Sequence, residues 1–241
     1  MTYRTKPTIF TLARWATIGS VVLAIISMLL YPGGTFHDPS RRGYSFFQNF
    51  LSDLGATVAW GGQPNYASAI LFVISFSALA LVLTGATVAL LKLYSSSKIR
   101  RRLSRTAGAA GVISCVSMIG AALTPPNLFL SLHIQFGSLA HAGCLLTSLL
   151  FAAATARDNR VPRGVPAGWL LLALVVIAHY SMQWGPGIET VQGLTFHVTA
   201  QKIAAIAVLA IFIYQSYKAD GVATGPTTKQ AVSTAESDVD A

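Results

Sequence analysis

Apolar residues along this chain fall into six long runs, each ended by polar, glycine or proline residues. The runs cover roughly residues 10–31, 66–93, 107–124, 132–156, 167–184 and 195–217. Each is near the ~20 residues that a helix needs to cross a bilayer. Backbone amides in hydrocarbon must be paired internally, and the runs do not alternate in polarity as the strands of a membrane barrel do. The pattern predicts an all-α fold, a polytopic bundle of six transmembrane helices.

The basic residues lie almost entirely in alternate loops. On one side are the start of the chain, the second and fourth loops and the segment after the sixth run, with Arg4, Lys6, Arg14, Lys92, Lys98, Arg100, Arg101, Arg102, Arg105, Arg157, Arg160, Arg163, Lys218 and Lys229. The opposite side holds only Arg41 and Arg42. Because short basic loops stay on the cytoplasmic side, both termini are predicted to be cytoplasmic. The expected location is the plasma membrane, which is the cytoplasmic membrane in a bacterium.

The net charge of +9 and the pI of about 9.9 follow from this loop pattern. A juxtamembrane arginine cluster ordinarily attracts anionic lipid headgroups, so membrane lipids are the expected partners and nucleic acid is not. Residues 1–217 are predicted to form one membrane domain. Residues 218–241 are rich in Ala, Thr, Ser, Gly and acids, and this composition predicts a disordered cytoplasmic tail.

The most specific stretch lies in the first outside loop, where Ser52, Asp53, Leu54 and Gly55 stand in a row. One interpretation is structural, because Ser or Asp side chains cap helix starts and Gly permits a tight turn. In the other, Asp53 points into the bundle as a ligand, a proton acceptor or the partner of a cation. The residues leave both open.

This Ser-Asp-Leu-Gly element, followed by an apolar helix of the type Ala69-Ile70-Leu71-Phe72, resembles a bacterial six-helix membrane family catalogued as a domain of unknown function. It is more distantly similar to the DRAM and FRAG-type membrane proteins, which carry Ile-Ser-Asp-x-Gly at this position. Here Leu51 replaces that Ile. The resemblance extends over the six-span layout and implies fold and membrane location; it implies no settled activity.

All five histidines lie on or toward the predicted outer side. At 1.5 Å per residue, groups on several helices reach overlapping depths there. Ionisable groups inside a membrane are expected to face the bundle interior or a wet cavity. We therefore expect an outward-opening polar pocket built from Asp53, His141, His179, His197 and Lys202. Lys202 is expected either to reach up to the interface or to pair with Asp53 or Glu189.

Three classes of function remain open. The first, which we favour, is a protein that handles a lipid or lipid-linked ligand, with hydrolysis of that ligand as one form of the hypothesis. Its candidate catalytic residues are Asp53, His141, His179 and His197, and its candidate ligand-binding residues are Ser52, Gln201 and Lys202.

Zinc held by His141, His179 and His197 is one form of this hypothesis, although HExxH and GxSxG are both absent from the sequence. No other cofactor is indicated. The second class is a transporter of a small solute, and the third is a non-catalytic structural or assembly protein. The sequence does not predict the oligomeric state.

Overall fold

The computed structural model describes residues 8–224. Its six α-helices are α1 (Ile9–Leu30), α2 (Tyr66–Leu93), α3 (Lys98–Leu123), α4 (Pro126–Thr155), α5 (Gly164–Ser181) and α6 (Val191–Thr224). Two short 3-10 helices, Leu51–Gly55 and Met182–Trp184, lie in the connections. Within the described residues there is no strand beyond two isolated bridges, so the predicted all-α, six-helix fold is confirmed.

Every one of these helices is long and apolar enough to cross a membrane. Large aliphatic side chains cover the outside of the bundle, among them Leu29, Leu81 and Leu174, which are 79%, 65% and 61% exposed. Such exposure would be costly in water but not in hydrocarbon. The chain is therefore a multi-pass membrane protein, while its orientation and its membrane stay predictions.

Three helices extend beyond the apolar runs that predicted them. Helix α3 begins nine residues before the predicted position 107, because Ser97 caps it by accepting a 3.3 Å hydrogen bond from the Arg100 amide. Helix α4 begins at Pro126, six residues before the predicted 132, and proline is well suited to a first helical turn.

Helix α6 corrects the predicted start of the tail. It continues to Thr224, so residues 218–224 are helical rather than disordered. Asp220, in this last part, forms a 3.0 Å ion pair with Arg14 and accepts a 2.7 Å hydrogen bond from the Thr8 hydroxyl. Contacts with α1 therefore stabilise the polar residues 218–224 as a helix, although their composition alone predicts disorder. The rest of the predicted tail, 225–241, lies outside the described residues, as do residues 1–7.

The six helices form a closed ring, in which each helix packs against the next in the chain and α6 packs against α1. Buried serines join α1 to α2, where Ser20 and Ser75 each donate to the other's carbonyl oxygen at 3.1 and 2.9 Å. The α3 and α4 helices share the most extensive interface. There, a Cβ on Gly143 would lie only 2.7 Å from the Ala110 carbonyl oxygen, so the glycine allows the two backbones to approach closely.

Loop 1, defined here as residues 31–65, folds over one end of the ring. Its 3-10 helix contacts α2, α3, α4 and α6. Leu54 is fully buried there, in an apolar cluster that includes Tyr31 and Phe72. A Cβ on Gly55 would meet the Phe72 ring at 2.7 Å, so this position needs glycine for packing. The Ser-Asp-Leu-Gly element is therefore the inner layer of a cap on the ring; we call this side the loop 1 end and the opposite side the arginine-rich end.

Candidate functional site

Asp53 is buried in the cap, with 7% of its surface exposed. One carboxylate oxygen accepts hydrogen bonds from the Phe50 amide at 2.9 Å and from the Asn49 side chain at 3.1 Å. Burial raises the pKa of Asp53 to about 6, although hydrogen bonds from Asn49, Trp60 and Phe50 and the charge of Lys202 act in the opposite direction. The residue caps its own turn, and burial makes its carboxyl group a weaker acid than an exposed aspartate.

Asn49 connects Asp53 to the rest of the cap and is completely buried. Its amide nitrogen also donates to the Gly34 carbonyl at 2.9 Å, and its side-chain oxygen accepts from the Ser45 amide at 2.8 Å. Its backbone carbonyl accepts a 2.6 Å hydrogen bond from Lys202 Nζ. Sequence reasoning did not select Asn49 as a site residue; its place four residues before Asp53, in the same motif stretch, was the available signal.

Lys202 points inward beneath loop 1 and is 3% exposed, so it does not reach up to the interface. Besides its bond to Asn49, its ammonium group lies 5.4 Å from the Tyr44 ring and 5.1 Å from the Phe46 ring. The expected partnership with Asp53 is indirect: Asn49 joins the two, and no ion pair between them occurs in residues 8–224.

Gln201, the neighbour of Lys202 on α6, accepts a 2.8 Å hydrogen bond from the Leu51 amide. Two consecutive residues of α6 therefore bind the first residue of the 3-10 helix, Leu51, and Asn49, which stands two residues before it. We call Asn49, Asp53, Gln201 and Lys202 the loop 1 clamp. Its hydrogen bonds are made within the molecule, which fixes the position of the cap on the ring.

Ser52 lies in the same turn and is half-buried. Its hydroxyl makes no hydrogen bond to any described residue, so no general base is positioned to activate it. A serine nucleophile needs such a base within hydrogen-bonding reach.

His141 on α4 and His179 on α5 form a separate pair whose ring centroids are 5.1 Å apart, with 31° between the ring planes. His141 Nδ1 donates to the Gly137 carbonyl at 2.7 Å, and the Tyr180 ring lies 6.1 Å from its ring. His179 Nδ1 is buried and has no hydrogen-bond partner among the described residues. Apart from the side chain of residue 183, which lies outside the description, no hydrogen bond joins either Nε2 atom to residues 8–224. The pair thus has unused hydrogen-bonding capacity.

The other three histidines bind backbone carbonyls at the loop 1 end. His197 Nε2 donates to Pro186 at 2.7 Å, and His37 Nε2 donates to Ile188 at 2.9 Å. His133 Nδ1 lies 2.9 Å from the Thr124 carbonyl oxygen, where α3 ends. These bonds tie loops and helix ends together.

The structure therefore divides the expected five-residue pocket into parts. Asp53 and Lys202 belong to the loop 1 clamp, His141 and His179 form the histidine pair, and His197 is bound to Pro186. Within the described part of the chain, no hydrogen bond or ring contact joins the histidine pair to the clamp. These are groups of direct contacts, and whether all five residues line one outward-opening pocket stays a prediction.

A zinc site made of His141, His179 and His197 stays a prediction. Zinc sites in proteins usually have three or four protein ligands. Among residues 8–224, no three His, Cys, Asp or Glu side chains are grouped closely enough to hold a metal ion. The histidine pair supplies two imidazoles.

A second charged cluster lies at the arginine-rich end. Asp158, between α4 and α5, pairs with Arg160 at 2.9 Å and with Arg100 at 3.5 Å, and accepts a 2.9 Å hydrogen bond from the Ser96 hydroxyl. The Arg160 hydrogen bonds hold the pKa of Asp158 well below its usual range. This cluster joins the α4–α5 loop to the turn between α2 and α3.

No family model, curated protein or solved structure matches this chain. The resemblance to the six-helix bacterial family thus stays a prediction from the sequence, and the function is inferred from contacts within the molecule.

Proposed function

We propose that this protein binds a lipid or lipid-linked ligand through His141 and His179. The main observation in support of this binding is that the two imidazole rings are paired and that the buried Nδ1 of His179 has no hydrogen-bond partner among the described residues. His179 stands two residues before the end of α5, at the loop 1 end of the ring. The ligand would therefore lie in the leaflet nearest loop 1.

The energetic argument concerns unpaired polar atoms. A buried polar group without a hydrogen-bond partner costs roughly 1–3 kcal/mol. Polar and ionisable side chains within membrane segments are a default sign of a functional site. A hydroxyl or phosphate headgroup would supply the missing hydrogen bonds to the two rings, and its acyl or prenyl part would stay in the surrounding hydrocarbon.

The chemistry of the pair extends the proposal to hydrolysis. In His141, the bond to the Gly137 carbonyl places a proton on Nδ1, which leaves Nε2 of the neutral ring as an acceptor. Two imidazoles this close can serve as a general acid and a general base. Binding requires only the free nitrogens, whereas hydrolysis additionally requires a water molecule beside the ligand.

The first experiment measures lipids that remain bound to the full chain after purification in mild detergent, by quantitative mass spectrometry. His141→Ala and His179→Ala are compared with His133→Ala, a matched control that removes a histidine bound to the Thr124 carbonyl. We expect one lipid class near equimolar amounts in the wild type and in His133→Ala, and its loss from the other two. The same lipid profile in all four proteins would reject the proposal.

Two further measurements on these preparations separate binding from catalysis. Turnover of the retained lipid class by the wild type, but not by His179→Ala, supports hydrolysis. Stoichiometric zinc that disappears in His141→Ala and His179→Ala supports the metal form of the hypothesis. Retained lipid without turnover supports a binding protein.

A structural or assembly role is the second candidate, and the loop 1 clamp favours it. Asn49, Asp53, Gln201 and Lys202 bond to one another or to backbone groups, so the cap needs no ligand to be stable. If the histidine variants keep their lipids and only clamp variants lose function in cells, this role is the better conclusion.

A further inference from the structure

An open groove of about 570 Å³ lies in the outer wall of the ring at the arginine-rich end. It runs between the first turn of α1 and the last turns of α2. Its lining is apolar apart from one cation and consists of Ile9, Phe10, Gly85, Val88, Ala89, Lys92 and Leu93. Its volume is in the ordinary range for small-molecule sites.

The groove depends on glycine and on helical spacing. Val88, Ala89 and Lys92 stand three, four and seven residues after Gly85, so the four positions share one face of α2. A Cβ on Gly85 would lie 3.2 Å from Ile9 Cδ1, so a longer side chain there would fill the space. Phe10 is buried in the core, which makes the inner wall apolar.

Lys92 stands at the mouth of this groove, in the last turn of α2. Its side chain is exposed and makes no ion pair within residues 8–224. A lysine at the end of a membrane helix extends its ammonium group toward the headgroup layer. The one cation in the groove is therefore placed where lipid phosphates lie.

The positive potential continues onto α3. Exposed basic side chains on one face of its first two turns are Lys98, Arg101, Arg102 and Arg105. Basic side chains close to the membrane surface attract anionic lipids, and basic pockets between membrane helices bind anionic headgroups. Charge complementarity therefore favours an anionic lipid over a zwitterionic one at this end.

We propose that the groove holds an acyl chain of an anionic phospholipid, with the headgroup phosphate paired to Lys92. The apolar wall formed by Val88, Ala89 and Phe10 matches the chain, and Lys92 matches the phosphate. This site is at the opposite end of the ring from the histidine pair and shares no residue with it. The two proposals can therefore fail independently.

The test uses the full chain in phosphatidylcholine nanodiscs that contain a phosphatidylglycerol with a photoreactive diazirine in its acyl chain. We expect crosslinks to residues 9–10 and 88–89. Lys92→Gln should reduce them about five-fold, the effect of one basic residue near the surface. Arg163→Gln is the matched control, since it removes the same charge from an exposed site at the start of α5, outside the groove and the basic face of α3, and it should leave them unchanged.

A second variant tests the shape of the groove. Gly85→Leu should abolish the crosslinks, because the leucine side chain would fill the groove. If Gly85→Leu impairs folding, the Lys92→Gln variant still tests the proposal. Equal losses in Lys92→Gln and Arg163→Gln would overturn the proposal in favour of general surface attraction. It would also be overturned if crosslinks to the groove were absent in the wild type and arose only after deletion of residues 2–7, because the chain's own start would then be the occupant.

Discussion

Asp53 and Asp158 are carboxyl groups at opposite ends of the same helical ring, and their environments shift their pKa values in opposite directions. Burial raises the pKa of Asp53 to about 6, and its nearest hydrogen-bond donors are neutral groups. The Arg160 hydrogen bonds lower the pKa of Asp158, which also pairs with Arg100. Both carboxyl groups are buried, at 7% and 6% exposure, so the difference lies in their partners. Desolvation dominates where the nearest donors are neutral, and hydrogen bonds from guanidinium groups dominate where arginines reach the carboxylate.

The two ends also differ in how far apart along the chain their partners lie. Lys202 and Asn49 are 153 residues apart, whereas Arg160 and Asp158 are two apart. The loop 1 clamp therefore holds distant parts of the chain together in a buried setting. The Asp158 cluster organises the α4–α5 loop and joins it to Ser96, 62 residues away, and its arginine Arg160 is 56% exposed at the side chain. Disruption of the clamp should be much more damaging.

The largest expected effect is in the labelling of introduced cysteines, which should be complete from one side of the membrane and absent from the other. It tests which compartment the loop around each carboxyl group faces. Cysteine placed at Ser40 in loop 1 or at Asn159 beside Asp158 should react with a membrane-impermeant maleimide from opposite sides of sealed cells. We expect Ser40→Cys to be labelled from outside and Asn159→Cys only after permeabilisation, as the basic loops predict. The reverse pattern would show that the predicted orientation is wrong.

Asn49→Ala should lower the free energy of unfolding by about 4 kcal/mol, because it leaves Asp53, the Gly34 carbonyl and the Ser45 amide each short of a buried partner. Asn127→Ala is the matched control. It removes an exposed asparagine that bonds to Thr57, and it should cost about 1 kcal/mol or less. Unfolding in mixed micelles measures both, and equal costs would show that burial does not distinguish the clamp.

Stability should also depend on pH through Asp53. Its folded pKa is raised from 3.8 to about 6, so the folded state binds the proton more tightly. The stabilisation is complete below about pH 4 and is lost as the pH rises through about 6, a change of about 3 kcal/mol. Asp53→Asn should remove this dependence. The pH dependence of stability that comes from Asp158 has the opposite sign. Its pKa is lowered in the folded state, so its contribution to stability is lost as the pH falls below the pKa of the unfolded state. A wild type whose stability is flat between pH 4 and 6 would contradict the buried, protonatable Asp53.

The smallest effect is expected from Arg160→Gln. Its ion pair with Asp158 is partly exposed, so its loss should cost about 0.5 kcal/mol at low salt and close to nothing at about 1 M salt. The cost of Asn49→Ala should stay the same over this range, because the clamp is shielded from the solution. A salt-dependent Asn49→Ala cost would mean that ions reach the clamp.

Much of the fold was predictable because of one strong physical constraint. A run of about 20 apolar residues in a bilayer has to pair its own amides, so it is a helix. For α2 the predicted and observed bounds agree at both ends, Tyr66 and Leu93. The start of α3 and the end of α6 were missed because polar residues there are helical for reasons outside the apolar pattern, the Ser97 cap and the Arg14–Asp220 pair.

For the candidate site, the amino-acid sequence determined how deep each polar group lies, since helical rise converts residue number into depth. It did not determine the direction of each side chain around its helix. That was decided by tertiary contacts, such as Gly143 against Ala110 and Gly55 against Phe72, which set how each element is turned. For this reason His141 meets His179 while His197 meets a loop carbonyl, and Lys202 reaches Asp53 only through Asn49.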